Sequence, residues 1–185
     1  FLQVPHYSTE MGQSLERLLL FTGLAANVAF VYFPTVAFAN ILWSVAVEEQ
    51  FYLFWPHVIK LKQKLLWIML LLLMGYLALK LYAGNLDRQL ELLVVRTRFS
   101  AMIIGGIGAY LIFTKHSLIQ YLHARITQVI LFGLFVLLLL NYIDLKSIEF
   151  LQEELLSVVV CGLILNIATN PNSILKLEHP LLNYF

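Results

Sequence analysis

Six stretches of this 185-residue chain approach the length of apolar sequence, about 20 residues, that a helix needs to cross a bilayer. They run over 18–33, 41–59, 65–83, 99–113, 126–143 and 155–169. Hydrocarbon offers no partner to a backbone N–H or C=O, so segments that enter it pair these groups internally as helices. Hydrophobic residues make up 61% of the chain, charged residues 12%, and the mean hydropathy is +0.82. A soluble domain carries about a quarter charged residues. The expectation is an all-α polytopic transmembrane helical bundle of about six membrane segments, with the lipid bilayer as a partner. No repeat, low-complexity tract or long charged linker divides residues 1–185, so one domain suffices. A net charge of +1 provides no basic face for nucleic acid. Cys161, alone and in an apolar run, points to packing, and no metal site is signalled.

The second stretch departs from its apolar surroundings. It reads Asn40-Ile-Leu-Trp-Ser-Val-Ala-Val-Glu-Glu-Gln-Phe-Tyr-Leu-Phe-Trp-Pro56, with two adjacent carboxylates in its middle. A carboxylate at the bilayer centre costs about 3 kcal/mol on insertion scales, so its default reading is a site facing protein or a polar cavity. On a helix Ser44, Glu48, Tyr52 and Trp55 share one face and Val45, Glu49, Leu53 and Pro56 the neighbouring one, which sets the two carboxylates about 100° apart. That spacing argues against a symmetrical dyad. A structural alternative also fits these residues: Asn40 capping the helix, acids favouring its dipole, and Trp43, Tyr52 and Trp55 forming an interfacial belt.

The run from Trp43 to Leu53, followed by Trp55-Pro56, resembles the WSL(S/A)VEEQFYLLxP signature of the membrane-bound acyltransferase-3 family of bacterial O-acyltransferases. The resemblance implies a catalytic role for Glu48 and Glu49 and a substrate-binding role for Trp43, Ser44, Gln50 and Tyr52. It adds Asn27, because the family tends to place an asparagine in the segment before this motif, and Arg98, because an arginine often precedes a Gly-rich helix at the later point. The family's proposed catalytic His, on its first membrane helix after an Arg, matches nothing in this chain, nor does its Arg-x-x-Arg motif. The chain accordingly reads as the middle of a longer protein, truncated at both ends.

The remaining candidates are weaker. Arg96-Thr-Arg98-Phe99 leads into a segment in which Ala101, Gly105 and Ala109 recur every fourth residue, a stripe against which a second helix can pack closely. An arginine entering such a groove can offer a bidentate fork to a phosphate or carboxylate, and Arg98 is placed better for this than Arg96, which reads as an interfacial snorkeller. Gly105-Gly106-Ile107-Gly108 lies inside an apolar helix and is no nucleotide loop. Asn27, Asn141 and Asn166 read first as interhelical hydrogen-bonding groups. His6, His57, His116, His123 and His179 all lie at segment ends or in loops and read as solvated interfacial groups.

What the resemblance implies is transfer of an acyl group, acetyl in the first instance, from an acyl-CoA donor to a hydroxyl of a cell-envelope carbohydrate, in the bacterial inner membrane and without a bound cofactor. Two other readings stand beside it. One is a proton-coupled transporter or flippase in which Glu48 or Glu49 carries protons and Arg98 engages an anionic substrate; the other is an inactive truncated fragment. Transporters usually carry paired repeats, and none is visible here. Orientation follows from charge: with Lys60, Lys62 and Lys64 cytoplasmic, Arg17, Lys115, Arg125 and Lys176 share that side, opposite Asp87, Glu91, Asp144, Glu149, Glu153 and Glu154. Arg88, Arg96 and Arg98 break the pattern. Cysteine labelling of intact cells is expected to spare position 62 and to mark position 149, and the reverse result overturns the orientation.

Overall fold

In the computed structural model, residues 7–32, 40–140 and 149–174 are described, and all of their regular structure is helical. The helices are α1 (Tyr7–Thr22), α2 (Ala26–Tyr32), α3 (Asn40–Ile59), α4 (Leu65–Leu86), α5 (Arg88–Thr97), α6 (Phe99–Phe113), α7 (Leu118–Leu122), α8 (Arg125–Leu139) and α9 (Glu149–Thr169), with a single 3-10 turn at Lys62–Lys64. The expected Asn141 bond and the expected solvation of His6 and His179 fall outside these residues, as does Asp144.

Among the described residues, three helical stretches are long and apolar enough to cross a membrane: Leu65–Leu86, Arg88–Phe113 (α5 and α6 together, turning at Arg98) and Gln152–Thr169. Arg125–Leu139 is a shorter apolar helix. The expected six segments are therefore not all present as spans, and each shortfall has a cause. The stretch over 18–33 is broken. Gly23 closes α1 so tightly that a side-chain carbon there would lie 2.9 Å from the Leu19 carbonyl oxygen. Leu24 then takes a left-handed conformation with φ 58°, and Ala25 N–H reaches back to Leu20 O at 2.8 Å. The seven-residue α2 starts beyond this turn. The second stretch does form one 20-residue helix, α3, but Glu48, Glu49, Gln50 and His57 make it too polar to count as a span. The stretch at 126–143 yields 15 helical residues, about 22 Å at 1.5 Å per residue. Only 11% of the spanning window in α4 is buried within the chain.

The chain divides into two compact units, Phe1–Leu65 with Gly75–Phe99, and Leu66–Met74 with Ser100–Phe185. In the first, α2 is the hub and packs on α1, α3 and α5. Its core joins Ala26, Phe30 and Ala46, with Phe21 and Trp43 against them. Asp87 caps α5 by accepting from Leu90 N–H at 3.3 Å. At the other end of α5, Arg98 takes the left-handed conformation (φ 51°) and stops the helix. The Tyr76 hydroxyl secures this turn, donating to Val94 O at 2.6 Å and accepting from Phe99 N–H at 3.3 Å.

In the second unit α6 lies along α9. Ser100 Oγ donates to Glu154 Oε1 at 3.2 Å, Cys161 Sγ to Ile104 O at 3.7 Å, and Gly108 faces Cys161 and Leu165. Residue numbers rise together along both sides of this seam, so the two helices run parallel. Helix α8 returns antiparallel between them in sequence, with Leu131 against Gly162 and Gln128 Oε1 accepting from Ile174 N–H at 2.9 Å. Such alternation suits successive membrane crossings.

The seam corrects the expected register. The packing stripe is Ser100, Ile104 and Gly108, all buried, whereas Ala101, Gly105 and Ala109 line an open groove of ≈ 470 Å³ beside it. Among the described residues, nothing lies within 4 Å of where a Gly105 side chain would begin. Glu149, Glu153 and Glu154, expected in an outer loop, belong to α9.

A side-chain carbon on Gly108 would meet Cys161 Sγ at 2.6 Å. Gly108→Ala is therefore expected to lower stability by about 1–3 kcal/mol despite its better helix propensity. Cys161→Ala in the same chain is expected to restore much of the loss, because it removes the obstructing sulfur. Thermal unfolding in detergent of the parent, the two single variants and the double variant gives the coupling, and additive losses refute a steric seam.

Candidate functional site

The motif helix α3 has an inner side and an outer side. Ala46 and Val47 are buried, Trp43 and Gln50 are half-buried, and this side lies on α2. At about 100° per residue, Gln50 sits within roughly 20° of Trp43, whereas Glu48 and Glu49 are turned about 140° and 240° away. Glu48 and Glu49 are accordingly exposed. The two stripes read from the sequence are real but outward-facing: Ser44, Tyr52, Val45, Leu53 and Pro56 are exposed too, and Trp55 is half-buried. The expected enclosure of the carboxylates in protein or a polar cavity is thus not met within this chain.

What fixes α3 is an amide pair. Asn27 Nδ2 donates to Gln50 Oε1 at 3.1 Å, and Gln50 Nε2 donates to Asn27 Oδ1 at 2.9 Å. The second Gln50 donor bond goes to Leu24 O at 2.8 Å, the carbonyl of the residue whose left-handed turn separates α1 from α2. Asn27 is 3% exposed, so its amide has no recourse to solvent. Two residues singled out in the sequence, 23 positions apart, are thereby brought together.

Trp43 belongs to an aromatic and cationic group. Its ring lies 5.8 Å from that of Phe30, which in turn meets Phe21 edge-on at 5.6 Å. The Arg96 guanidinium stands over the Trp43 ring at 5.6 Å from its centroid, within cation–π range. Further along α3, Phe51 stacks on Trp55 at 4.7 Å and approaches Phe99 at 6.5 Å. Tyr52 packs only edgewise on Phe51, at 6.3 Å, and its 61% exposure leaves the phenol outward. Arg98 is exposed at the left-handed end of α5. The structure therefore joins Asn27, Gln50 and Trp43, and leaves Ser44, Glu48, Glu49 and Tyr52 on the outer side of the same helix.

Several polar groups had no sequence signal beyond residue type. Lys80 and Glu154 are each 7% exposed, inside α4 and α9. At the α7–α8 corner, Asn166 Nδ2 donates to Leu122 O, and Ser173 Oγ donates to Asn166 Oδ1 at 3.0 Å. Gln128 Nε2 donates to His123 O at 3.0 Å. The Thr169 hydroxyl gives its proton to Leu165 O at 2.7 Å, so the 2.9 Å contact with His123 makes that ring Nε2 the donor. His123 is thus a half-buried structural link rather than the expected solvated group, while the interhelical role expected of Asn166 holds. Among the described residues no group of His, Cys, Asp and Glu side chains could hold a metal ion.

The chain matches no protein-family model, no curated protein and no solved structure.

Removal of either member of the amide pair leaves buried polar atoms unpaired. Asn27→Ala and Gln50→Ala are each expected to cost about 1–3 kcal/mol, with the double variant costing clearly less than the sum. Detergent melts of the three variants check this; strict additivity means that the two side chains do not pair.

Proposed function

We propose that this chain is part of an inner-membrane O-acyltransferase, moving an acyl group from an acyl-CoA thioester to a hydroxyl of a cell-envelope carbohydrate. The observation that carries the reading is the density of the motif from Trp43 to Pro56, which resembles the acyltransferase-3 signature over most of its length. The geometry of α3 supports it in a specific way. Every motif residue that packs on α2 is apolar, aromatic or amide, and both carboxylates are left on the unpacked side with Ser44 and Tyr52. A helix that only decorated a membrane interface has no need of a buried amide lock to set its rotation.

In the reaction the acceptor oxygen attacks the thioester carbonyl, the C–S bond breaks, and the hydroxyl proton passes to the departing thiolate. A carboxylate that accepts a hydrogen bond from the acceptor hydroxyl raises the nucleophilicity of its oxygen and relays that proton. Glu48 or Glu49 serves this role, and the other holds the sugar or a cation. Ser44 and Tyr52, one turn away on either side of Glu48, extend the same face as hydrogen-bonding groups for a polyhydroxylated acceptor. The lipid bilayer is the medium, with acyl-CoA and carbohydrate as substrates.

Glu48→Gln or Glu49→Gln in the intact protein is expected to reduce acyl transfer by about 10²-fold or more while leaving membrane insertion unchanged. Acyl incorporation from labelled acetyl-CoA into envelope glycan measures it. Full activity in both variants reduces the carboxylates to helix decoration and removes the ground for this function.

A further inference from the structure

We infer that the Arg96 guanidinium, seated on the Trp43 ring, is a binding site for a phosphate group. Arg96 lies in the last turn of α5 and is exposed, with its charged group 5.6 Å from the ring centroid. The platform beneath it is held by several contacts. Trp43 is backed by Phe30 at 5.8 Å, and the rotation of α3 is set by the Asn27–Gln50 pair. Helix α5 is held by burial of Val94 and Thr97, by its packing on α2, and by the Tyr76 hydroxyl bond to Val94 O.

Arg96 has no hydrogen bond or ion pair among the described residues; its sole interaction there is with the ring. Contact with an aromatic face uses the plane of a guanidinium and leaves its edge, where the N–H groups point, for another partner. The acids nearest to Trp43 along α3 are Glu48 and Glu49, and they are turned away from it. Among the described residues the donors of Arg96 are therefore pre-ordered, positively charged and unclaimed, the condition under which a planar fork takes a phosphate through two parallel hydrogen bonds. Holding the long side chain against the ring beforehand also lowers the ordering entropy that binding must overcome. This assigns an anion-binding role to Arg96, the arginine that the sequence reads as an interfacial snorkeller, and it does not depend on Arg98.

Two sources could present the phosphate: a soluble coenzyme thioester or an anionic lipid headgroup. The site rests on the acyl-transfer reading only for the first of these. The test is binding in the absence of turnover, with the intact protein in a phosphate-free maltoside detergent. Titration calorimetry compares coenzyme A with pantetheine, which lacks the phosphates, and native mass spectrometry follows retention of added phosphatidylglycerol. Arg96→Lys keeps charge and approximate length but loses the fork, and Arg88→Lys controls for loss of a guanidinium elsewhere on α5. The expected result is coenzyme A binding at least about tenfold tighter than pantetheine, weakened about tenfold in Arg96→Lys and unchanged in Arg88→Lys. If coenzyme A binding is indifferent to Arg96 but phosphatidylglycerol is retained by the parent and lost from Arg96→Lys, the phosphate site stands with a lipid as its owner. If neither ligand responds to Arg96→Lys in a variant whose melting temperature is unchanged, the site is refuted, whatever the Glu48 and Glu49 variants show about acyl transfer.

Discussion

The Asn27–Gln50 amide pair determines how the first unit presents its motif. Hydrophobic packing alone leaves a helix such as α3 free to rotate, because it is apolar around most of its circumference. An unsatisfied buried amide is costly, and these two side chains satisfy one another in only one rotational setting. That setting turns Trp43 inward to Phe30 and Glu48 and Glu49 outward. The third bond, to Leu24 O, ties the same lock to the turn between α1 and α2. Helix break, helix rotation and carboxylate placement thus share one cause.

The second unit uses a different kind of specificity. Its parallel α6–α9 seam depends on the absence of a side chain at Gly108 and on a buried Ser100–Glu154 hydrogen bond at the end of the seam nearest the start of α6. At the α7–α8 corner, side chains of Asn166, Gln128 and Ser173 take up polar groups that the break between those helices frees or leaves buried. Such exchange of backbone for side-chain partners is how irregular structure is accommodated beside apolar helices.

The sequence disclosed what depends on composition and strong pattern. The helical class, the one continuous helix through the motif, the shared face of Ser44, Glu48 and Tyr52, and the pairing roles of Asn27 and Asn166 all follow from residue type and the 3.6-residue period. Which face turns inward did not follow, because that depends on partners: Gln50 gives no local sign that it meets Asn27. The same holds for α6, where two stripes one residue apart, Ala101-Gly105-Ala109 and Ser100-Ile104-Gly108, each carry small residues that let another helix approach. Only the bulk and polarity of α9 select between them. The break at Gly23 was hidden because its neighbours are apolar, so hydropathy runs smoothly over a turn. Burial of Glu154 and the His123–Thr169 link arise from residues far apart in the chain and leave no periodic trace.

The length of α8 has a consequence for the surrounding lipid. Fifteen residues reach about 22 Å, roughly 8 Å less than the hydrocarbon core of an average bilayer. A short helix is accommodated by local thinning, with headgroups and water drawn toward its ends. The His123, Gln128 and Asn166 cluster stands at the N-terminal end of this helix. Where α8 enters the bilayer, lipid thickness becomes a variable that acts on this corner of the protein: a thicker membrane strains it, and a thinner one relieves it.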